Sequence, residues 1–172
     1  GETLAASRIR HRLLLTDLRS NAAFQGPCIV GEPSALPLAS DSIDAMLLPH
    51  VLEYAEQPKA IVSEVERVLI PEGRLVVLGF NPLSLWGLGR RRRAARTQAP
   101  WHGRWPLATQ VERWLTEQGF EIEARERALF CPPFISPKGR RCLAIESLGG
   151  RFWPPFGGLY VIRAVKRVPT LT

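Results

Sequence analysis

The sequence has few of the residues that build metal centres, disulfide frameworks or membrane helices. Its 172 residues include only three histidines and three cysteines. Cys28, Cys131 and Cys142 are far apart and form no Cys-x-x-Cys pair, which is typical of a reducing cytoplasm. No apolar run approaches the roughly 20 residues that a membrane helix needs. We therefore expect a cytoplasmic protein without a metal ion.

The sequence also lacks an initiator methionine and a signal peptide, and acidic residues are in the minority. A start at Gly1-Glu2-Thr3 predicts a fragment, a processed chain or missing N-terminal residues. There are 23 Lys and Arg against 16 Asp and Glu, a formal net charge of +7. This excess favours anionic partners. The length suits a single domain over residues 1–172.

What the chain does have is a central strand–helix–strand pattern. Ile43 to Leu48 is a short apolar run, typical of a strand buried on both faces of a parallel sheet. Apolar residues between Ile61 and Leu69 recur at helical spacing. Pro71-Glu72-Gly73 should stop that helix and turn the chain into a second strand, which covers Arg74 to Phe80. Such a unit predicts parallel pairing with a right-handed crossover.

Weaker patterns flank this unit on both sides. Strands are expected where β-formers alternate or cluster, and helices where apolar residues recur at helical spacing. The predicted strands are Arg12 to Thr16, Cys28 to Val30, Phe120 to Arg127 and Leu159 to Lys166, and the predicted helices are Glu2 to Arg10, Ala108 to Gln118 with Gly119 as its C-cap, and Lys138 to Leu148.

Five short motifs follow one another through this central unit at consistent spacing. They are Leu36-Pro37-Leu38, Ser42-Ile43-Asp44, His50-Val51-Leu52-Glu53, Glu66-Arg67-Val68-Leu69 and Pro71-Glu72-Gly73-Arg74-Leu75. This ordered set resembles the S-adenosylmethionine-dependent methyltransferases of the Rossmann-like type (class I), in their type 11 small-molecule branch.

The resemblance implies a fold with a missing piece. It implies an α/β three-layer sandwich with a mostly parallel sheet, in which the last strand is antiparallel. The family's first strand, which lies in the middle of the sheet, has no counterpart in this sequence. The glycine-rich turn after it is also missing, unless Gly1 is its final glycine. We therefore expect a gap in the core, and weak or no cofactor binding by the chain as given.

The same resemblance implies where S-adenosylmethionine would bind. Asp17 would accept hydrogen bonds from the ribose hydroxyls, and Glu32 would accept one from the adenine amino group. Pro33 stands where the family often offers a backbone N–H, which proline lacks. That contact would therefore come from Ser34, from water, or not be made at all. The implied cofactor-binding residues are Gly1, Asp17, Leu18, Glu32, Pro33, Ser34, Pro49 and His50. Two alternatives stay open, in which Asp17 only caps a turn or helix and Glu32-Pro33 is only a surface turn.

His50 is the candidate catalytic residue. The resemblance puts its loop beside the sulfonium, where an imidazole is able to act as a general base toward a hydroxyl or amine. Alternatively, His50 only shapes the pocket, because methyl transfer to a good nucleophile needs mainly positioning and desolvation.

A basic, tryptophan-containing segment from Leu83 to Trp105 is predicted to be a mobile flap over the acceptor side of the pocket. Arg90 to Arg93 and Arg96 allow three interpretations: a solvated loop, a nucleic-acid patch with stacking tryptophans, or contact of Leu83 to Arg96 with an anionic membrane surface.

Three functions follow from these patterns. The first is methyl transfer from S-adenosylmethionine to a small or lipid-like acceptor. The second is a methyltransferase-fold protein that binds a partner without catalysis. The third is a basic protein that associates with RNA.

Overall fold

The computed structural model describes residues 14–16, 28–88, 103–130 and 157–167, with side chains from residue 31 onward. The elements in chain order are β1 (Leu14–Thr16), β2 (Cys28–Val30), β3 (Ile43–Pro49), α1 (Pro58–Val68), β4 (Leu69–Phe80), α2 (Ala108–Glu117), β5 (Phe120–Ala128) and β6 (Leu159–Lys166). The predicted helices Glu2 to Arg10 and Lys138 to Leu148 lie outside the described residues.

The described strands form a mixed sheet and a separate parallel pair. Four strands pair in the order β3-β4-β6-β5, and β1 and β2 form a separate parallel pair. β3 and β4 are parallel, and β6 runs antiparallel to both β4 and β5. The predicted α/β class and the reversed last strand are therefore confirmed.

The two sheets are separated at β3. Among the described strands, β3 pairs only with β4, so its other edge has no described partner. The break lies where the resemblance puts the family's first strand. The prediction that β3 is buried on both faces was wrong: Met46 and Leu48 are buried, whereas 48% of Leu47 is exposed. Only one face of β3 packs into the core, because no described element covers the other.

The core lies between one face of the four-stranded sheet and the helices α1 and α2. Helix α1 buries Ile61, Val62, Val65 and Val68, and Pro58 in its first turn fits because the first helical N–H groups need no intrahelical partner. Helix α2 buries Val111, Trp114 and Leu115, as its spacing predicts. Both sets belong to one hydrophobic cluster with Leu75, Val77 and Ile162 of the sheet. None of the described helices is long and apolar enough to cross a membrane.

The chain does not turn at Pro71-Glu72-Gly73 as predicted, because these residues lie inside β4. Ile43 pairs with Leu69 and Ala45 pairs with Arg74, so the intervening residues of β4 form a bulge. Glu72 has a φ of 61°, which gives the bulge its local bend. Turn-forming residues and a bulge share the same sequence signature, and only the partner strand distinguishes them.

Gly119 ends α2 as predicted. Its φ of 86° is left-handed, and its N–H donates to the carbonyl of Thr116 at 3.1 Å. β5 then begins directly at Phe120, which is buried; Ile122 and Ala124 are half-buried, and the last four residues of this edge strand are exposed.

Candidate functional site

The loops after β2 and β3 carry Glu32, Ser34 and His50, which the sequence analysis singled out. In α/β sheets, ligands bind outside the carboxyl ends of parallel strands, where the strand order changes. The loop after β2 contains Glu32 and Ser34, and the loop after β3 contains His50 and Glu53. Gly1, Asp17 and Leu18 lie outside the described residues.

The segment after β2 is a tight turn. Ala35 N–H donates to the Glu32 carbonyl at 2.9 Å, and Ser34 Oγ donates to Glu32 Oε1 at 2.6 Å. Glu32 is exposed, and its carboxylate has room for a further donor. In the described part of the chain, no hydrogen bond uses the Ser34 backbone N–H. The turn therefore offers one acceptor and one donor despite Pro33.

Side chains of helix α1 hold the loop that continues from this turn. Sequence analysis did not predict these contacts. Glu64 Oε1 accepts from Leu36 N–H at 2.7 Å, and Arg67 Nη2 donates to the carbonyls of Leu36 and Leu38 at 3.2 and 2.9 Å. Arg67 also bonds Glu64, and this bond holds the pKa of the Glu64 carboxyl below its usual value. The Glu64–Arg67 pair thus ties the segment that follows Glu32 to the rigid core.

His50 and Glu53 form a polar pair directly after β3. His50 Nδ1 lies 3.1 Å from Glu53 Oε2 and 3.2 Å from Oε1. Only 1% of the Glu53 side chain is exposed, against 32% for His50. The backbone N–H of Phe80, at the end of β4, also donates to Glu53 Oε1. A buried carboxylate therefore faces one ring nitrogen of a partly exposed histidine.

Backbone geometry at His50 sets up this pair. His50 has a φ of 58°, a left-handed conformation that histidine tolerates better than bulky apolar residues. Its N–H still donates to the carbonyl of Leu78 at 3.0 Å, so the β3–β4 ladder continues by one step. The chain then turns, so that the Glu53 carboxylate reaches His50 Nδ1.

Aromatic rings extend the site away from His50. The His50 and Phe80 rings stack with centroids 4.3 Å apart, and Phe80 stacks on Trp105 at 4.7 Å. Arg104 N–H donates to the Glu53 carbonyl at 2.6 Å. A Cβ on Gly103 would lie 2.9 Å from that same carbonyl oxygen, so only glycine lets this loop approach so closely.

Both ends of the predicted flap are anchored. At one end, Ser84 is buried, donates to the Asn81 carbonyl at 2.6 Å and accepts from Gly87 N–H, as a helix N-cap does. At the other end, only 6% of Trp105 is exposed, so this residue is not available to stack on nucleic-acid bases. Residues 89–102, which include the arginine run, lie outside the described residues, and the mobility of Leu83 to Trp105 stays a prediction.

A tyrosine from β6 packs on the buried side of the site. A Cβ on Gly79 of β4 would lie 2.3 Å from the Tyr160 hydroxyl oxygen, so the glycine makes room for the ring. Burial strongly raises the pKa of the Tyr160 hydroxyl, and the negative charge of Glu53 raises it further. Tyr160 is therefore neutral at all physiological pH values.

A cavity of about 240 Å³ lies beside the aromatic stack. Its walls include Leu52 from the loop after β3, Trp105 from the stack, and Trp114 of α2. Arg104 and Gln110 also line it, and within the described residues the Arg104 side chain has no ion-pair partner. This cavity suits a small apolar group next to an anionic or polar one.

Leucines surround the end of β4 on the outer surface. Leu83, Leu85 and Leu88 are all at least half exposed although they follow a buried strand. In the described part of the chain there is no cluster of three or more His, Cys, Asp or Glu residues that fits a metal ion.

Sequence analysis thus found His50 but not its partners. Glu53 stood in the quoted motif, three residues after His50, and this spacing was the available signal. Phe80, Trp105 and Tyr160 come from distant parts of the chain, and nothing in their local sequence marks them.

Comparison with known proteins agrees with this architecture. A family model described as a methyltransferase domain (type 11) matches residues 9–77. The Escherichia coli (strain K12) protein YafS is 37% identical over 145 residues, which are 84% of this chain and 57% of YafS. The chain therefore spans little more than half of that relative.

Two further proteins are similar over other extents. The ubiquinone/menaquinone biosynthesis C-methyltransferase UbiE of Cereibacter sphaeroides is 35% identical over 66 residues, 36% of this chain and 26% of UbiE. A Thermotoga maritima structure described as a SAM-dependent methyltransferase, possible histamine N-methyltransferase, superposes with a TM-score of 0.66 at 19% identity. That superposition covers 83% of this chain and 65% of the Thermotoga chain, and it shows the shared fold. Residues 9–77 are thus similar to a methyltransferase domain, and the chain shares its fold with S-adenosylmethionine-dependent methyltransferases.

Proposed function

We propose that the protein transfers the methyl group of S-adenosylmethionine to a small or lipid-like acceptor. The observation that carries this proposal is the placement of Glu32 and His50 in the loops that follow β2 and β3. In a sheet of this kind, those are the loops that meet a ligand at the strands' carboxyl ends.

The described residues fit one end of such a cofactor. The exposed Glu32 carboxylate is able to accept from an adenine amino group, and the Ser34 N–H is able to donate to a ring nitrogen in place of Pro33. Asp17, from the sequence, would hold the ribose, and Pro49 and His50 would flank the methionine part. The cofactor supplies an electrophilic methyl group on a sulfonium.

The protein's own contribution would be positioning and exclusion of water. The stacked rings of His50, Phe80 and Trp105 give a rigid aromatic wall beside the loop after β3. Holding an acceptor against such a wall lowers the entropic cost of bringing the two reactants in line. His50 would take the proton if the acceptor is a hydroxyl or an amine.

An apolar or lipid-like acceptor suits the surroundings. The cavity beside Trp105 is lined largely by apolar and aromatic side chains. The exposed leucines Leu83, Leu85 and Leu88 would rest on a membrane or on a lipid-like substrate, with the arginine run that follows them facing anionic headgroups. A similar relative, UbiE, is by its name a quinone-biosynthesis methyltransferase, which also favours a lipid-like acceptor here.

The test is a methyl-transfer assay on the complete gene product with S-adenosylmethionine labelled in its methyl group. Candidate acceptors are phenols, amines and short-chain quinols in detergent. We expect label transfer to at least one acceptor, with greater transfer to the apolar ones. Binding of S-adenosylmethionine without transfer to any acceptor would instead support the non-catalytic binding protein.

A further inference from the structure

We propose that Glu53 is the positioning residue that sets the tautomer of His50, so that Nε2 is the ring nitrogen that accepts a proton. This inference rests on the proposed function, because it assigns His50 its part in methyl transfer. It goes further in naming which atom of His50 reacts and which residue controls it.

Hydrogen bonding leaves one assignment for the proton on the neutral ring. Glu53 is a carboxylate acceptor, and both of its oxygens lie within 3.2 Å of His50 Nδ1. When Glu53 is ionised it has no proton to donate, so Nδ1 must then carry the hydrogen. Nε2 then holds the lone pair, and among the described residues it has no hydrogen-bond partner.

Glu53 is itself held in place by hydrogen bonds, so its carboxylate keeps a fixed orientation toward His50 Nδ1. Its Oε1 accepts from Phe80 N–H, and its backbone carbonyl accepts from Arg104 N–H. The Phe80 ring also stacks on the imidazole at 4.3 Å, so the ring cannot swing away without losing that contact. Buried carboxylates that orient a histidine act in this way in hydrolase triads.

The exposures of the two side chains match these roles. Glu53 is buried and shielded from water, whereas about a third of the His50 side chain remains open. The exposed part of the pair therefore belongs to the histidine, and the buried carboxylate would stabilise the imidazolium.

With a hydroxyl acceptor, methyl transfer makes one bond, breaks one bond and releases one proton. The acceptor oxygen forms a bond to the methyl carbon while the carbon–sulfur bond of the sulfonium breaks, which leaves a neutral thioether. The acceptor's proton passes to Nε2 of His50. The resulting imidazolium is paired with the Glu53 carboxylate until the proton leaves to water.

The direct test is a long-range ¹H–¹⁵N correlation spectrum of ¹⁵N-labelled protein at a pH where His50 is neutral. The chain has three histidines, and loss of one signal set in His50→Gln assigns the relevant one. We expect the pattern of a protonated Nδ1 and an unprotonated Nε2. An Nε2–H tautomer in the wild-type protein would overturn the inference, whether or not any Glu53 variant folds.

Glu53→Gln tests the cause. The amide oxygen of glutamine would still accept from Phe80 N–H, so its NH₂ group would face Nδ1 and donate to it. We therefore expect the tautomer to switch to Nε2–H, with kcat falling by about 10² or more and KM for the cofactor little changed. The control is Glu126→Gln, at an exposed surface carboxylate, which should change neither the His50 tautomer nor kcat. An unchanged tautomer in folded Glu53→Gln would contradict the proposal.

The two proposals fail separately. If the protein transfers no methyl group but His50 shows the Nδ1–H tautomer that depends on Glu53, the positioning role stands and the proposed function falls. If methyl transfer occurs but the tautomer of His50 is the same with and without the Glu53 carboxylate, only the positioning role is refuted.

Discussion

Replacing Lys166 with methionine removes the group that caps the C-terminus of α1. The last four carbonyls of a helix have no partner within the helix. Here Asp41 N–H donates to Arg67 O and Ser42 N–H to Val68 O, while Lys166 Nζ donates to Glu66 O and Leu69 O, each at 2.8 Å.

The cost of this replacement follows from what is left unpaired. Only 9% of the Lys166 side chain is exposed, so few water molecules would replace its bonds to the two carbonyls. Methionine keeps most of the side-chain volume but donates nothing. Leaving one buried carbonyl unsatisfied costs about 1–3 kcal/mol, and the partly exposed carboxylates of Asp41 and Glu66 add less. We expect a loss of about 2–4 kcal/mol.

The assay is urea unfolding followed by circular dichroism, with Arg163→Met as the matched control on the same strand. Arg163 pairs with Glu126 at an exposed position, so its replacement should cost under about 1 kcal/mol. If Lys166→Met costs no more than Arg163→Met, the capping role of Lys166 is refuted.

The pH dependence gives a second check on the same residue. Burial alone lowers the pKa of the Lys166 ammonium, but its bonds to Asp41 and Glu66 outweigh this, and the net pKa is raised. A raised pKa in the folded state stabilises the protein below the unfolded value of about 10.4. The advantage of wild type over Lys166→Met should therefore be constant near neutral pH and shrink as the pH rises through the folded pKa.

Three further outcomes follow from the structure. Gly79→Ala should lower stability by about 1–3 kcal/mol in urea unfolding, because the new Cβ meets the buried Tyr160 ring, and an unchanged midpoint would contradict that packing. Glu64→Gln should make stability less sensitive to acid, since the lowered pKa of Glu64 stabilises the fold above about pH 4.3 and this is lost on acidification; equal acid profiles would refute it. Anionic liposomes should slow hydrogen exchange around Leu83 to Leu88, and neutral liposomes should not; equal exchange with both would leave those leucines without a membrane role.

Local patterns predicted the regular elements well. β6 has the bounds that its β-forming residues indicate, and α2 differs from the prediction only by its last residue. These elements were predictable because their own side chains decide their period and their ends. The parallel β3–β4 unit was predictable because a helix of that length between two apolar runs allows few other arrangements.

The features that the sequence did not predict depend on residues that are distant in sequence. Pro71-Glu72-Gly73 becomes a bulge only because β3 pairs on both sides of it, and Lys166 caps a helix about a hundred residues before it. Glu53 was visible in the sequence, but its role depends on the left-handed backbone at His50. Local propensity does not contain that kind of information.

Cofactor binding tests the central claim most directly, and calorimetric titration of the complete gene product with S-adenosylmethionine measures it. We predict saturable binding in the wild-type protein and at least tenfold weaker binding in Asp17→Ala, because hydrogen bonds to a charged acceptor contribute about 1.5–3 kcal/mol each. No binding by the wild-type protein, or equal affinity in a folded Asp17→Ala variant, would contradict the account.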